Sequence, residues 1–125
     1  MGIQTFMDLK VWQVAHDVNL TVYRLTQDFP RRDMFGHSAQ MRRAAFSVAA
    51  NITEGFGRRG TRDKAHFYTM AAGSAEELKY CLLFARDLGL LPSFALLWDR
   101  TESIAKMLRS LIDKVLEGGS AMEKH

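Results

Sequence analysis

The chain has 125 residues, 47% of them hydrophobic and 25% charged, with a formal net charge of +3 and a single cysteine. That length suits one domain, which buries about two thirds of its unfolded surface and folds without disulfides or metals. A lone cysteine excludes an intramolecular disulfide and a thiolate zinc site, and no apolar run approaches the roughly 18–20 residues that a bilayer span needs.

Residues 1–7 have no periodicity and read as a short arm, without the basic start, apolar segment and cleavage site of a leader. A cytoplasmic protein is expected. Asp8 is placed to cap the first helix, which runs to about Asp28 and closes at Phe29-Pro30, since proline disfavours helix in the residue before it. Val11, Val14, Ala15, Val18, Val22 and Leu25 recur at helical spacing and form its core face. A second apolar stripe, Leu9, Trp12, His16, Leu20 and Tyr23, lies on the opposite side. A helix in a monomeric bundle needs only one such face, so the second calls for another surface to cover it.

A short basic connector, Pro30 to Asp33, leads to a second helix that starts near Asp33 or Ser38 and continues to about Phe56. Met41, Ala45, Val48, Ala49, Ile52 and Phe56 gather on one side of it, while Arg43, Ser47, Asn51, Glu54 and Arg58 gather on the other. Gly55, Gly57 and Gly60 then make the turn. Their spacing matches the dinucleotide fingerprint in letters only, because that fingerprint follows a buried strand and this one follows a helix.

The third helix starts near Thr61 and ends at about Leu88, before Gly89, with Phe67, Met70, Ala71, Ser74, Leu78, Cys81, Leu82 and Ala85 as its core stripe. Gly73 sits within a small run, Ala71 to Ala75. A close approach of the second helix would explain a glycine that costs about 1 kcal/mol relative to alanine. Ser47, Asn51, Glu54, Ser74 and Glu77 are then expected to meet in a structural polar network, favoured over a catalytic carboxylate pair because no nucleophile or phosphate cradle accompanies it. Tyr80 and Leu83 fall off the core stripe and join the surplus apolar surface.

Leu91-Pro92 makes the next turn, and Ser93 caps a last helix whose seam is Leu97, Thr101, Ile104, Leu108, Leu111 and Val115. Gly118-Gly119 is expected to stop it. The fold class is therefore all-α: an antiparallel up-down-up-down four-helix bundle over residues 8–118, with a disordered tail at 119–125. Leu9, Trp12, His16, Leu20, Tyr23, Tyr80 and Leu83 are the candidate interface of a homo-oligomer.

Function is sought first in charge. Between Arg42 and Lys64 six cations, Arg42, Arg43, Arg58, Arg59, Arg62 and Lys64, oppose only Glu54 and Asp63, a surplus of four where the whole chain has three. The arginine pairs stand about 22 Å apart on a continuous helix, a spacing that suits several phosphates of a nucleic acid backbone. No catalytic set emerges. Glu-x-x-His, the metal-binding spacing of carboxylate-bridged bundles, does not occur, so neither a metal nor another cofactor is expected. Arg59 followed by His66 matches the loose arginine-histidine spacing of HEPN-superfamily ribonucleases and gives the enzymatic alternative. A second alternative is a purely structural assembly protein whose cations pair across subunits.

The motifs Asp8-Leu-Lys-Val-Trp12-Gln, Tyr23-x-Leu25-Thr-x-x-Phe29-Pro30, Gln40-Met-Arg42-Arg43-Ala44-Ala45-x-Ser47-Val-x-x-Asn51-Ile52-x-Glu54-Gly55-Phe-Gly57-Arg58-Arg59, Gly73-Ser74-x-x-Glu77-Leu78 and Asp87-Leu-Gly-Leu together resemble a bacterial four-helix-bundle family. The resemblance covers about residues 6–117. Its members include proteins encoded in intervening sequences of large-subunit ribosomal RNA genes. They are similar to the accessory variability determinant of diversity-generating retroelements, a homopentamer that binds nucleic acid and a reverse transcriptase. The resemblance implies a pentamer covering the second stripes, Arg42, Arg43, Arg58 and Arg59 facing RNA or DNA, and a reverse transcriptase as one kind of partner. It implies no enzymatic activity.

Overall fold

The computed structural model describes residues 2–123; Met1, Lys124 and His125, the outermost residues of the expected arm and tail, lie outside it. Four helices carry the chain: α1 Lys10–Thr26, α2 Ala39–Gly57, α3 Thr61–Asp87 and α4 Phe94–Glu123. The described residues contain no strand. This is an all-α four-helix bundle, and on α1, α2 and α4 its core follows the apolar pattern of the sequence. Val11, Ala15, Val18 and Val22 of α1, Met41, Ala45, Val48 and Ile52 of α2, and Leu97, Ile104 and Leu108 of α4 are all buried. Two buried threonines join them, and each is satisfied by its own helix: Thr26 donates to the Val22 carbonyl and Thr101 to that of Leu97.

The contacts between helices show how they run. Trp12 near the start of α1 donates to Thr53 near the end of α2, whereas Arg42 at the start of α2 reaches Thr26 at the end of α1. Ser47 of α2 meets Ser74 of α3, and Lys64 of α3 reaches back to Gly55 and Phe56. Lys79 of α3 pairs with Glu102 of α4 at 3.0 Å, and that hydrogen bond raises its ammonium pKa above the ordinary lysine value. Arg100 of α4 pairs with Asp17 of α1. The start of α1 therefore meets the end of α2 and the reverse, and α4 contacts both α3 and α1.

The helix ends differ from the expectation in three places. Asp8 does not cap α1. Its carboxylate turns back to accept from the N–H groups of Gln4 and Thr5, each at 3.0 Å, and closes a single 3-10 turn over Phe6–Asp8. Those two backbone donors hold its carboxyl below the usual aspartate range. The connector is helical rather than open, with a 3-10 turn at Arg31–Asp33 and a π-helical turn at Met34–Ser38 leading straight into α2. Finally, α4 continues through Gly118 and Gly119 to Glu123. Glycine lowers helix stability without ending a helix, and here neither a left-handed cap nor a proline follows. α3 does end on such a cap: Gly89 has φ 75°, and the N–H groups of Gly89 and Leu90 bond the Arg86 and Ala85 carbonyls.

Along α3 the buried face also departs from the expected stripe. Ala71, Leu78, Cys81, Leu82 and Ala85 are buried as read, and burial pushes the Cys81 thiol pKa up. Met70, however, is 42% exposed, while Tyr68 and Ala75 take core positions. Nor is Gly73 a point of close approach, since a Cβ there would have nothing within 4 Å. The glycine at which α2 and α3 do approach closely is Gly55, where a Cβ would lie 2.6 Å from Cε1 of Tyr68, and Ala44, Ala71 and Ala75 are fully buried. Gly73→Ala should therefore stabilise the fold by about 0.5–1 kcal/mol, the ordinary helix gain, read as a higher urea midpoint. A lower midpoint would mean that something occupies that open space.

Candidate nucleic-acid interface

The six cations of the Arg42–Lys64 segment do not form one patch. Arg42 and Arg43 stand at one end of α2 and Arg58 to Lys64 at the other, and neighbouring residues on a helix point about 100° apart. Arg42 turns toward α1. Its Nε donates to the Thr26 hydroxyl at 2.6 Å, its Nη2 to the Tyr23 carbonyl at 3.1 Å, and its guanidinium lies 4.1 Å from the Tyr23 ring centroid. Arg43 turns toward α3, where Nη2 donates to Gln40 and to the Glu77 carboxylate, both at 2.7 Å.

At the other end, Lys64 folds under the corner between α2 and α3. Its Nζ donates to the Gly55 and Phe56 carbonyls at 3.0 and 2.8 Å, closing the C-terminus of α2 as a cation should. Burial lowers the pKa of that ammonium. Arg42 performs the same task for α1. Both residues were expected to face nucleic acid, and the structure instead occupies them in helix capping. Arg58 lies between the carboxylates of Glu54 at 3.0 Å and Asp63 at 3.7 Å, with its guanidinium 4.5 Å from the Phe67 ring centroid. Arg59 and Arg62 are exposed. Among the described residues neither forms an ion pair.

The expected polar network divides in the same way. Ser47 and Ser74 meet at 2.8 Å, and the Asn51 amide donates to the Ser47 carbonyl and hydroxyl at 2.9 and 3.0 Å. Glu54 and Glu77 stand outside that knot, Glu54 exposed and Glu77 half-buried, as the partners of Arg58 and Arg43. Their reach exceeds that of the serines, so they follow the arginines into solvent. Exposed ion pairs of this kind contribute little stability.

The candidate subunit surface is narrower than the sequence suggests. Leu9 is buried, and Trp12 is half-buried, hydrogen-bonded to Thr53 and stacked on His16 at 4.8 Å. Leu83 is half-buried as well. What remains exposed on that side is His16, Leu20 and Tyr23, with Phe46, which the sequence reading did not single out, 63% exposed on α2. A groove of about 650 Å³ between α1 and α4, lined among others by Lys10, Asp17, Arg100 and Lys106, also escaped it. Its cations come from opposite ends of the chain, so no local charge count could join them.

His66 is exposed, with its ring edge-on to Phe67 at 5.5 Å. Among the described residues no three His, Cys, Asp or Glu side chains come together as metal ligands, and no helix is long and apolar enough to cross a membrane. No curated protein matches the chain. A family model described as 23S rRNA-intervening sequence protein matches residues 7–110.

Proposed function

We propose that this chain, which belongs to the 23S rRNA-intervening sequence protein family, is a non-enzymatic bundle that associates with RNA, or scaffolds a nucleoprotein complex, through the corner between α2 and α3. One observation carries the reading: Arg59 and Arg62 are exposed there with no carboxylate partner among the described residues, and Arg58 stands beside them. Lys64 and Arg42 support the fold, and Arg43 is neutralised by Glu77. The family's description, which refers to 23S rRNA, makes RNA the first polyanion to test. The exposed face of His16, Leu20, Tyr23 and Phe46 is the surface through which copies of the chain assemble.

The test is binding of a labelled single-stranded RNA and a duplex DNA across a salt series, wild type beside Arg59→Ala/Arg62→Ala, with mass measured by light scattering. Two lost phosphate contacts should make the slope of log affinity against log salt shallower by about 1.4 for single-stranded RNA, with the mass unchanged. An intact protein that binds neither nucleic acid at low salt would refute the reading. So would RNA cleavage abolished by His66→Ala, which would restore a ribonuclease using Arg59 and His66.

A further inference from the structure

At the end of the bundle opposite the basic corner, the π-helical turn Met34–Ser38 meets the end of α3 through the His37 and Phe84 rings. Between them opens a groove of about 420 Å³, lined by Gly36, His37, Gln40, Glu77, Tyr80 and Phe84. A volume of this order suits a small aromatic group, and π-helical turns recur at functional sites. Its wall is aromatic. Phe84 meets His37 edge-on at 4.8 Å and lies near-parallel to Tyr80 at 6.3 Å. Tyr80 is nonetheless 67% exposed and Phe84 41%, so their ring faces are open to a further stacking partner.

The polar side of the groove is set by Arg43. Its guanidinium binds Gln40 through Oε1 and Glu77 through Oε2. With its oxygen turned to Arg43, the Gln40 amide has its NH₂ left to donate, and Glu77 keeps Oε1 as an acceptor. An acceptor and a donor beside stacked rings are the complement of a nucleobase edge. Guanine fits best. Its N1–H and N2–H₂ donors are adjacent and suit a carboxylate oxygen, and its O6 is in line to accept from the amide; the other three bases offer only one donor next to an acceptor. Cations suited to the flanking phosphates are at hand in the exposed Arg31 and Arg32 of the turn just before the groove. Aromatic faces beside cations are the two ingredients of single-strand binding.

We propose that this groove takes an unpaired guanine of single-stranded RNA, stacked on Tyr80 and Phe84 and read on its Watson–Crick edge by Glu77 and Gln40. The inference rests on the RNA reading above and adds a second contact, at the far end of the molecule from Arg59 and Arg62.

The probes are RNA decamers of uridine whose fifth residue is guanosine, adenosine or an abasic ribose, titrated by fluorescence polarisation with mass and helical circular dichroism recorded on the same samples. The guanosine decamer should bind about tenfold more tightly than the abasic one, a factor within the range of one base stacked on an aromatic ring. Tyr80→Ala removes an exposed ring and should bring that ratio near one. Glu77→Gln should keep the stacking while losing most of the preference for guanosine over adenosine. Equal affinity of wild type for the guanosine and abasic decamers overturns the inference. If that equality comes with binding still weakened by Arg59→Ala/Arg62→Ala, the RNA reading survives and the groove alone is refuted. If no decamer binds, both fall. A Tyr80→Ala variant of lower mass and undiminished guanosine preference would show the groove to be a contact between copies of the chain, which also overturns it.

Discussion

Gly55→Ala is expected to destabilise the protein by about 1–3 kcal/mol, the usual cost of forcing atoms into a packed core. A Cβ at this position would lie 2.6 and 2.7 Å from Cε1 and Cδ1 of Tyr68 and 3.2 Å from Cβ of Phe67. Tyr68 is only 2% exposed and is held by the core, so its ring cannot simply swing aside. The same substitution at a mid-helix glycine with open space should gain about 0.5–1 kcal/mol, as argued for Gly73. Both positions are helical, so the comparison sets a helix gain opposed by a clash at Gly55 against one unopposed at Gly73. Urea unfolding of the two variants measures it, and a Gly55→Ala midpoint at or above that of wild type would show that α2 and α3 do not meet as closely as described. Because Gly55 lies just before Arg58–Arg62, loss of this contact should also disturb the corner that carries Arg59 and Arg62.

The second large effect is expected at Arg42. Arg42→Ala removes two hydrogen bonds from a charged donor, one to Thr26 and one to the Tyr23 carbonyl. The cost should be about 1.5 kcal/mol, the low end for charged groups, because the second bond is open to solvent. Arg42→Lys should recover only part of it, since an ammonium supplies neither the planar fork nor the stacking on Tyr23. The salt slope of RNA binding should stay at the wild-type value in both variants. If instead the slope falls as far as in an arginine variant of the basic corner while stability holds, Arg42 contacts phosphate and its inward pose is not the one that matters.

These two residues also show what the sequence reveals and what it does not. Regular spacing located all four helices, because α1, α2 and α4 each bury one continuous face and helical periodicity reports that directly. Over the 27 residues of α3 periodicity reports less. That helix packs against α2 on one flank and α4 on the other, so its buried face is broad and rotates along its length. A single stripe drawn on a wheel therefore placed Met70 inside and overlooked Tyr68.

At the candidate site, the Ser47–Ser74 contact was legible because short polar side chains among alanines can be satisfied only by a close neighbour. The direction of each arginine was not. Arg42 and Arg43 contribute equally to a charge count, yet one closes α1 and the other pairs with α3. Charge density along a sequence carries no information about azimuth, and azimuth decides whether a cation meets solvent or a carbonyl. The aromatic groove was hidden for a similar reason. Its floor comes from residues 36–40 and 77–84, which come together only after α2 and α3 have packed.

The two inward cations also bear on how the chain is made. The Tyr23 carbonyl is closed by a residue 19 positions later, and the Gly55 and Phe56 carbonyls by one 9 and 8 positions later. During synthesis α1 and α2 leave the ribosome with their carboxyl ends unfinished, and the seal of each arrives with the helix that follows. Early assembly is thereby tied to consecutive pairs: a nascent chain halted between Thr26 and Arg42 holds a frayed α1, and one extended past Lys64 has both ends closed.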